Sequence, residues 1–267
     1  MAKFFLHRVI YNKAVYVMLL FGTAIAVLHI FQDAIAFISF SNDSPFLYTP
    51  YQSWIEFGIS SNYRYIFFLL LPIIAAIVFS DTYARDLQTG YFKAIVARGK
   101  MKSYFTGLYV TNFIIAGITV SIPLLINLYL AFMTMPNIKP DPVLDLNPLG
   151  FGTTMFPDLY YNFPLIHTFL YILLAFIFAG MYATISLSVS FYIQSRFFII
   201  ISSFIINMFL TIVLNYTEKY AWVPSNFLTQ LSGQPGVSFT VVASIFIIGL
   251  TSSTLFYVNG VKRRVIV

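Results

Sequence analysis

Charge is scarce in this chain. Only 9% of its 267 residues are Asp, Glu, Lys or Arg, and 59% are hydrophobic. An ordinary soluble domain carries about 25% charged residues, so the shortfall excludes a water-soluble globule. Cysteine is absent. That excludes a disulfide scaffold, a Cys-ligated zinc site, an iron–sulfur cluster and a thiol nucleophile. Histidine is limited to His7, His29 and His167. These are scattered along the chain, so no histidine cluster can hold a catalytic metal within a membrane. Acidic residues number nine against fifteen basic ones, a net charge of +6. In a soluble protein that excess would suit nucleic acid. Here the placement of the charges matters more than their sum, and no nucleic-acid partner is expected.

What is present is apolar and aromatic. Thirty Phe and 19 Tyr argue against disorder. A helix needs about 20 mostly apolar residues to cross the hydrocarbon of a bilayer. Six stretches qualify: Ala14–Phe31, Tyr63–Ser80, Tyr104–Phe132, Ile166–Ile193, Phe197–Leu214 and Val237–Asn259. A membrane barrel would show segments of about 10 residues alternating polar and apolar, whereas these are apolar on all sides. The expectation is a single all-α membrane domain over 1–267 with six transmembrane helices.

Basic residues give the orientation. With the N-terminus inside, the inner segments hold Lys3, Arg8 and Lys13, then Arg85, Lys93, Arg98, Lys100 and Lys102, then Arg196, then Lys262, Arg263 and Arg264. The outer segments hold only Arg64, Lys139 and Lys219. Both termini are therefore expected to be cytoplasmic. Ala24 and Ala26 give the first span a signal-peptide-like spacing, but it is expected to be retained as a transmembrane helix.

Residues Met1–Lys13 mix Phe4, Phe5, Val9 and Ile10 with Lys3, His7 and Arg8. This reads either as a helix lying in the inner interface or as a positive flank that only sets topology. The outer segments are longer. Met133–Leu165 carries six prolines, which forbid a long helix and indicate a turn-rich cap. Asn215–Gly236 is apolar enough for short helices at the outer interface. The Asn42-Asp43-Ser44 and Asn215-Tyr216-Thr217 triplets fit a glycosylation pattern of low specificity.

On the inner side one segment is substantial, Asp81 to Ser103. Thr89 suits an N-cap. A helix of about two turns follows from Gly90 to Ala97, Arg98 sits at its negative end, and Gly99 fits a left-handed stop. Tyr91 and Ile95 lie at i, i+4 spacing, with Phe92 and Val96 beside them. Two turns are not stable alone, so this helix needs a surface to pack on. Asp81, Arg85 and Asp86 cluster where the second span ends; they read as ion pairs bracing the helix or as a solvated helix end.

Polar residues inside spans are few. Asn127 and Asn207 read as interhelical hydrogen bonds or substrate contacts. Gly180 and Thr184, with Ala179 and Ala183, form a small-residue face, within one subunit or between two. His29 and Asp33 read as a polar interfacial end or as a cation-binding pair. Pro72 and Pro123 are expected to kink spans two and three. Gly99-Lys100 is followed by Met101, and the position five before Gly99 is Ala94, so no phosphate-cradling loop exists. Catalytic residues and metal ligands are not expected.

Six spans, one helical inner loop and a minimal turn at Gln194-Ser195-Arg196 make the chain resemble a type-2 ABC export permease. Within the loop, Asp86, the Thr89-Gly90 pair in reversed order, Ile95, Val96, Arg98-Gly99-Lys100 and Lys102 match that family's outline. The acidic position is Asp where the family has Glu, and Lys-Met stands where many members have Ser-Arg. The resemblance implies that the inner helix is a coupling helix, with Asp86, Thr89, Gly90, Tyr91, Phe92, Ile95, Val96 and Arg98 facing an ATPase subunit. It implies two ATPase copies carrying ATP and magnesium, a second permease copy or a related permease, and a bacterial cell membrane. The expected activity is export of an apolar or amphipathic peptide, lipid or drug, in the narrower reading an antimicrobial-peptide export or immunity role. The alternatives are an ion-coupled transporter, which would want midplane carboxylates, and a scaffold subunit.

Overall fold

The computed structural model describes residues 2–35, 49–55, 62–99, 101–142, 154–231 and 234–265. Lys100, the Asn42-Asp43-Ser44 triplet and the side chain of Asp33 lie outside the described residues. All regular structure among the described residues is helical. A short helix α1 (Ala2–Ile10) leads into α2 (Lys13–Leu28), which continues as a π-helical turn, His29–Ala34. Next come α3 (Asn62–Phe79), two short helices α4 (Thr82–Gln88) and α5 (Tyr91–Ala97), and the 34-residue α6 (Met101–Thr134). The chain then forms α7 (Pro157–Asn162), α8 (Pro164–Val189), α9 (Arg196–Tyr216), α10 (Pro224–Phe227) and α11 (Phe239–Val265).

Six of these helices, α2, α3, α6, α8, α9 and α11, are long and apolar enough to cross a membrane. The chain is a helical multi-pass membrane protein. Their bounds differ from the apolar runs for identifiable reasons. α8 ends at Val189 because the Ser190 N–H turns back to the Ser186 and Leu187 carbonyls and the Ser190 hydroxyl donates to Leu187 at 2.6 Å. α11 runs to Val265, so Lys262, Arg263 and Arg264 form its last turn, where cations complement the exposed carbonyls. Pro72 and Pro123 both lie inside continuous helices.

Burial assigns the spans to layers. The apolar stretches of α3 and α8 are 67% buried within the chain, whereas that of α11 is 17% buried. The first two form the centre and α11 lies at the edge. Glycine permits the closest approach at the centre. The Phe113 ring of α6 lies where a Cβ on Gly180 would sit, 2.6 Å away, and the Phe176 ring of α8 covers Gly117 of α6 in the same way. The small-residue face of α8 is thus a contact within one chain.

The end carrying α1, α4, α5 and the last turn of α11 holds most of the basic residues and is called the basic end. There Phe5, Phe79, Tyr83, Tyr104, Phe105, Phe191 and Tyr257 form one aromatic cluster. At the opposite end, α10 and its flanks pack inward, with Phe227 and Gln230 fully buried. His167 is buried there too, its Nδ1 accepting from the Gln230 amide nitrogen at 2.8 Å.

Candidate functional site

The two short helices between α3 and α6 begin from local sequence. Thr89 closes α4: its hydroxyl donates to the Arg85 carbonyl at 2.9 Å, and its N–H bonds the same carbonyl. Gly90 follows with φ +72°, a left-handed conformation that favours glycine. The expected N-cap therefore shifts by one residue. Gly90 precedes the helix, Thr89 belongs to the one before it, and α5 starts at Tyr91. Gly99, at φ +65°, ends α5 as the sequence indicates.

Two buried carboxylates hold this unit in place. Asp86 is 2% exposed. It accepts two hydrogen bonds from the Arg8 guanidinium, at 2.8 and 2.6 Å, and one from the Tyr104 hydroxyl at 2.5 Å. Paired N–H donors fit a carboxylate fork, which fixes orientation as well as charge. Burial disfavours the charged Arg8, but the Asp86 carboxylate outweighs it and raises the guanidinium above its ordinary value. Asp81 is 1% exposed and pairs with Arg85 at 2.9 Å and Arg196 at 2.7 Å. Of the two readings of this acidic–basic cluster, the brace is the one realised, because both carboxylates are buried. Asp86 ties α4 to α1 and α6, and Asp81 ties it to the start of α9.

α1 does not rest on its positive charge alone. Phe5 and Val9 are buried, and the Phe5 ring fills the space beside Gly107 of α6. Phe4 stacks on Tyr91 with centroids 5.7 Å apart, and the Arg8 guanidinium lies 5.3 Å from the Phe4 centroid and 5.9 Å from that of Tyr91. Asn12 caps α2 by accepting from the Ala14 N–H at 3.1 Å, and its amide donates to the Val78 carbonyl of α3. The amphipathic segment is therefore packed on the chain itself and on α5.

The eight residues proposed from the loop sort onto two faces. Phe92 and Ile95 are buried in the aromatic cluster, beside Tyr83, Tyr104 and Phe105. Asp86 is buried in the brace. Tyr91 and Val96 are each 40% exposed, and Lys93, Ala94 and Arg98 are exposed with them. The i, i+4 pairs do not share exposure: Tyr91 is exposed and Ile95 buried, Phe92 buried and Val96 exposed.

The polar residues inside the spans make helix-to-helix bonds. Asn127 accepts from the Ile55 N–H at 2.8 Å and donates to the Ala26 carbonyl at 2.8 Å, with His29 Nδ1 3.2 Å away. Asn207 accepts from the Tyr182 hydroxyl at 2.7 Å, at the wall of an apolar groove of about 630 Å³ between α8, α9 and α11. Thr184 donates to its own helix at Met181 and lies 3.2 Å from the Ser253 hydroxyl of α11. Sequence reasoning missed Asn112, fully buried in α6, whose carbonyl accepts from the Ser80 hydroxyl at 3.2 Å. It placed Arg85 with Asp81 but missed the distant partners, Arg8 and Arg196. An acid in a basic loop signals a need for a cation, but Arg8 is 78 residues from Asp86 and Arg196 is 115 from Asp81.

Comparison with protein families, with curated proteins and with solved structures finds no match.

Proposed function

We propose that this chain is the membrane-spanning permease subunit of an exporter powered by a separate ATPase, and that α5 is the helix on which the ATPase docks. The observation that carries this reading is the division of α5 into a fixed face and a free face. Phe92 and Ile95 fix it from behind, and Asp86 and Asp81 anchor the helix before it. Lys93, Ala94, Val96 and Arg98 remain exposed, and Tyr91 is exposed at the edge of its stack on Phe4. A seven-residue helix held this way transmits a push on its free face to α1, α6 and α9 instead of absorbing it.

The basic end then faces the cytoplasm, with both termini. ATP and magnesium sit on two copies of the partner, and a second permease, identical or related, completes the pathway. The middles of the spans carry no Asp, Glu, Lys or Arg, which favours energy supplied by a partner over ion coupling. It also suits an apolar or amphipathic cargo such as a peptide, lipid or drug, in a bacterial cell membrane.

Co-purification with a candidate ATPase tests this. The wild-type chain is expected to capture the ATPase and to support ATP hydrolysis. Val96→Asp places a charge on the free face without entering the core, and is expected to abolish capture while the chain stays folded. Failure of the wild type to bind any candidate ATPase, or unchanged capture by Val96→Asp, would sink the reading.

A further inference from the structure

α6 and α11 both pack on α8. Between them lies a groove of about 970 Å³. Its floor is apolar and aromatic, and side chains of the two helices bond across it. The Tyr257 hydroxyl donates to the Phe105 carbonyl at 2.8 Å, and the Tyr109 hydroxyl shares a hydrogen bond with Thr254 at 2.9 Å. The Tyr109 and Tyr257 rings meet edge to face with centroids 5.0 Å apart. The two tyrosine hydroxyls are thus already paired, and what these residues present to the groove is ring surface.

The mouth of the groove is charged with one sign. Lys102 and Lys262 both line it, both are exposed, and among the described residues no Asp or Glu lines it. The acids of this end, Asp81 and Asp86, are committed to Arg85, Arg196 and Arg8. The first turn of α6, with Met101, Lys102 and Ser103 at the same mouth, adds N–H groups at the positive end of a 34-residue helix. Cationic mouth and apolar trough follow one another along the bundle axis, in the order of headgroup and acyl chain in one leaflet. A soluble anion would use the mouth and leave the trough empty. An uncharged apolar molecule would use the trough and leave two lysines without a counter-ion.

We propose that this groove binds an anionic phospholipid, with its phosphate between Lys102 and Lys262 and an acyl chain along Phe105, Tyr109 and Val258. The site requires only that the chain spans a membrane; it is independent of the ATPase reading.

Native mass spectrometry of the purified full chain tests it, by titration with phosphatidylglycerol or phosphatidylcholine of matched acyl chains. Near a membrane surface each lysine strengthens binding of an anionic headgroup about fivefold, so the wild type is expected to prefer phosphatidylglycerol about 25-fold at one site. Lys102→Gln with Lys262→Gln is expected to bring the two lipids to parity. Lys3→Gln with Lys13→Gln removes the same charge elsewhere at this end and is expected to keep the preference. Val258→Trp, which fills the trough, is expected to weaken retention of both lipids. Equal binding of the two lipids by the wild type overturns the proposal, as does an equal loss in both lysine pairs. A lipid-free dimer that Val258→Trp dissociates also overturns it, because the groove would then hold a second copy.

Discussion

Replacing Arg8 by Met keeps most of the side-chain stem and removes the guanidinium. Asp86 then loses its two shortest cationic contacts, at 2.8 and 2.6 Å, and keeps only the Tyr104 hydroxyl. Its side chain is 3% exposed, so water cannot replace them, while the Arg8 side is 25% exposed. Removing one partner of a buried pair costs about 3–5 kcal/mol, and the partial exposure of Arg8 places this case near the low end, about 3 kcal/mol. That is on the order of a hundredfold in the folding equilibrium. Asp86→Leu alone strands the cation, but with less cost because Arg8 reaches water. The double variant removes both charges and is expected to recover much of the loss. Unfolding free energies in mixed detergent micelles, read by helix content for the four chains of the cycle, give the coupling directly. A coupling of about 2 kcal/mol is expected. Additivity within about 0.5 kcal/mol would refute the claim that Arg8 and Asp86 act as one buried unit.

Ile95→Asp and Val96→Asp are neighbours with opposite expected outcomes. The first puts a carboxylate into the aromatic cluster and lowers the melting temperature, whereas the second leaves melting unchanged and affects only capture of an ATPase. Gly180→Ala places a Cβ 2.6 Å from the Phe113 ring. Thermal unfolding is expected to show a loss of about 1–3 kcal/mol, partly recovered when Phe113→Ala is added. Asn207→Leu combined with Tyr182→Phe removes both partners of one bond and should cost about 0.6 kcal/mol, the average for such bonds between membrane helices. Asn127→Leu is expected to cost roughly 1–3 kcal/mol, because it leaves the buried Ile55 N–H without its acceptor; equal losses in the two variants would contradict the assignment.

Much of this architecture is written in one dimension. A run of apolar residues long enough for the bilayer has to be helical, since a backbone in hydrocarbon must satisfy its own polar groups. That argument needs no partner, and it locates all six spans. Local geometry is legible for the same reason. Gly99 ends α5 where a left-handed residue is required, and Pro136 and Pro140 follow closely on the end of α6 at Thr134. α5 starts one residue later than the sequence suggests because Thr89 and Gly90 each suit a helix end, and the bonds of Thr89 to the Arg85 carbonyl make it the end of α4.

The scarcity of charge determined that this is a membrane protein and that its charges gather at the ends of the spans. It did not determine what those charges do. Asp81 pairs with its neighbour Arg85, but Asp86 and Asp81 also take partners that lie 78 and 115 residues away, and nothing in their neighbourhoods points to Arg8 or Arg196. Likewise, whether Ile95 or Val96 faces outward depends on the angle at which α5 meets Tyr83, Tyr104 and Phe105. Sequence fixes which residues need burial or pairing. Which residue meets that need is decided when α1, α4, α5 and α6 come together, because buried pairing and side-chain packing are properties of the assembled end and of no single segment.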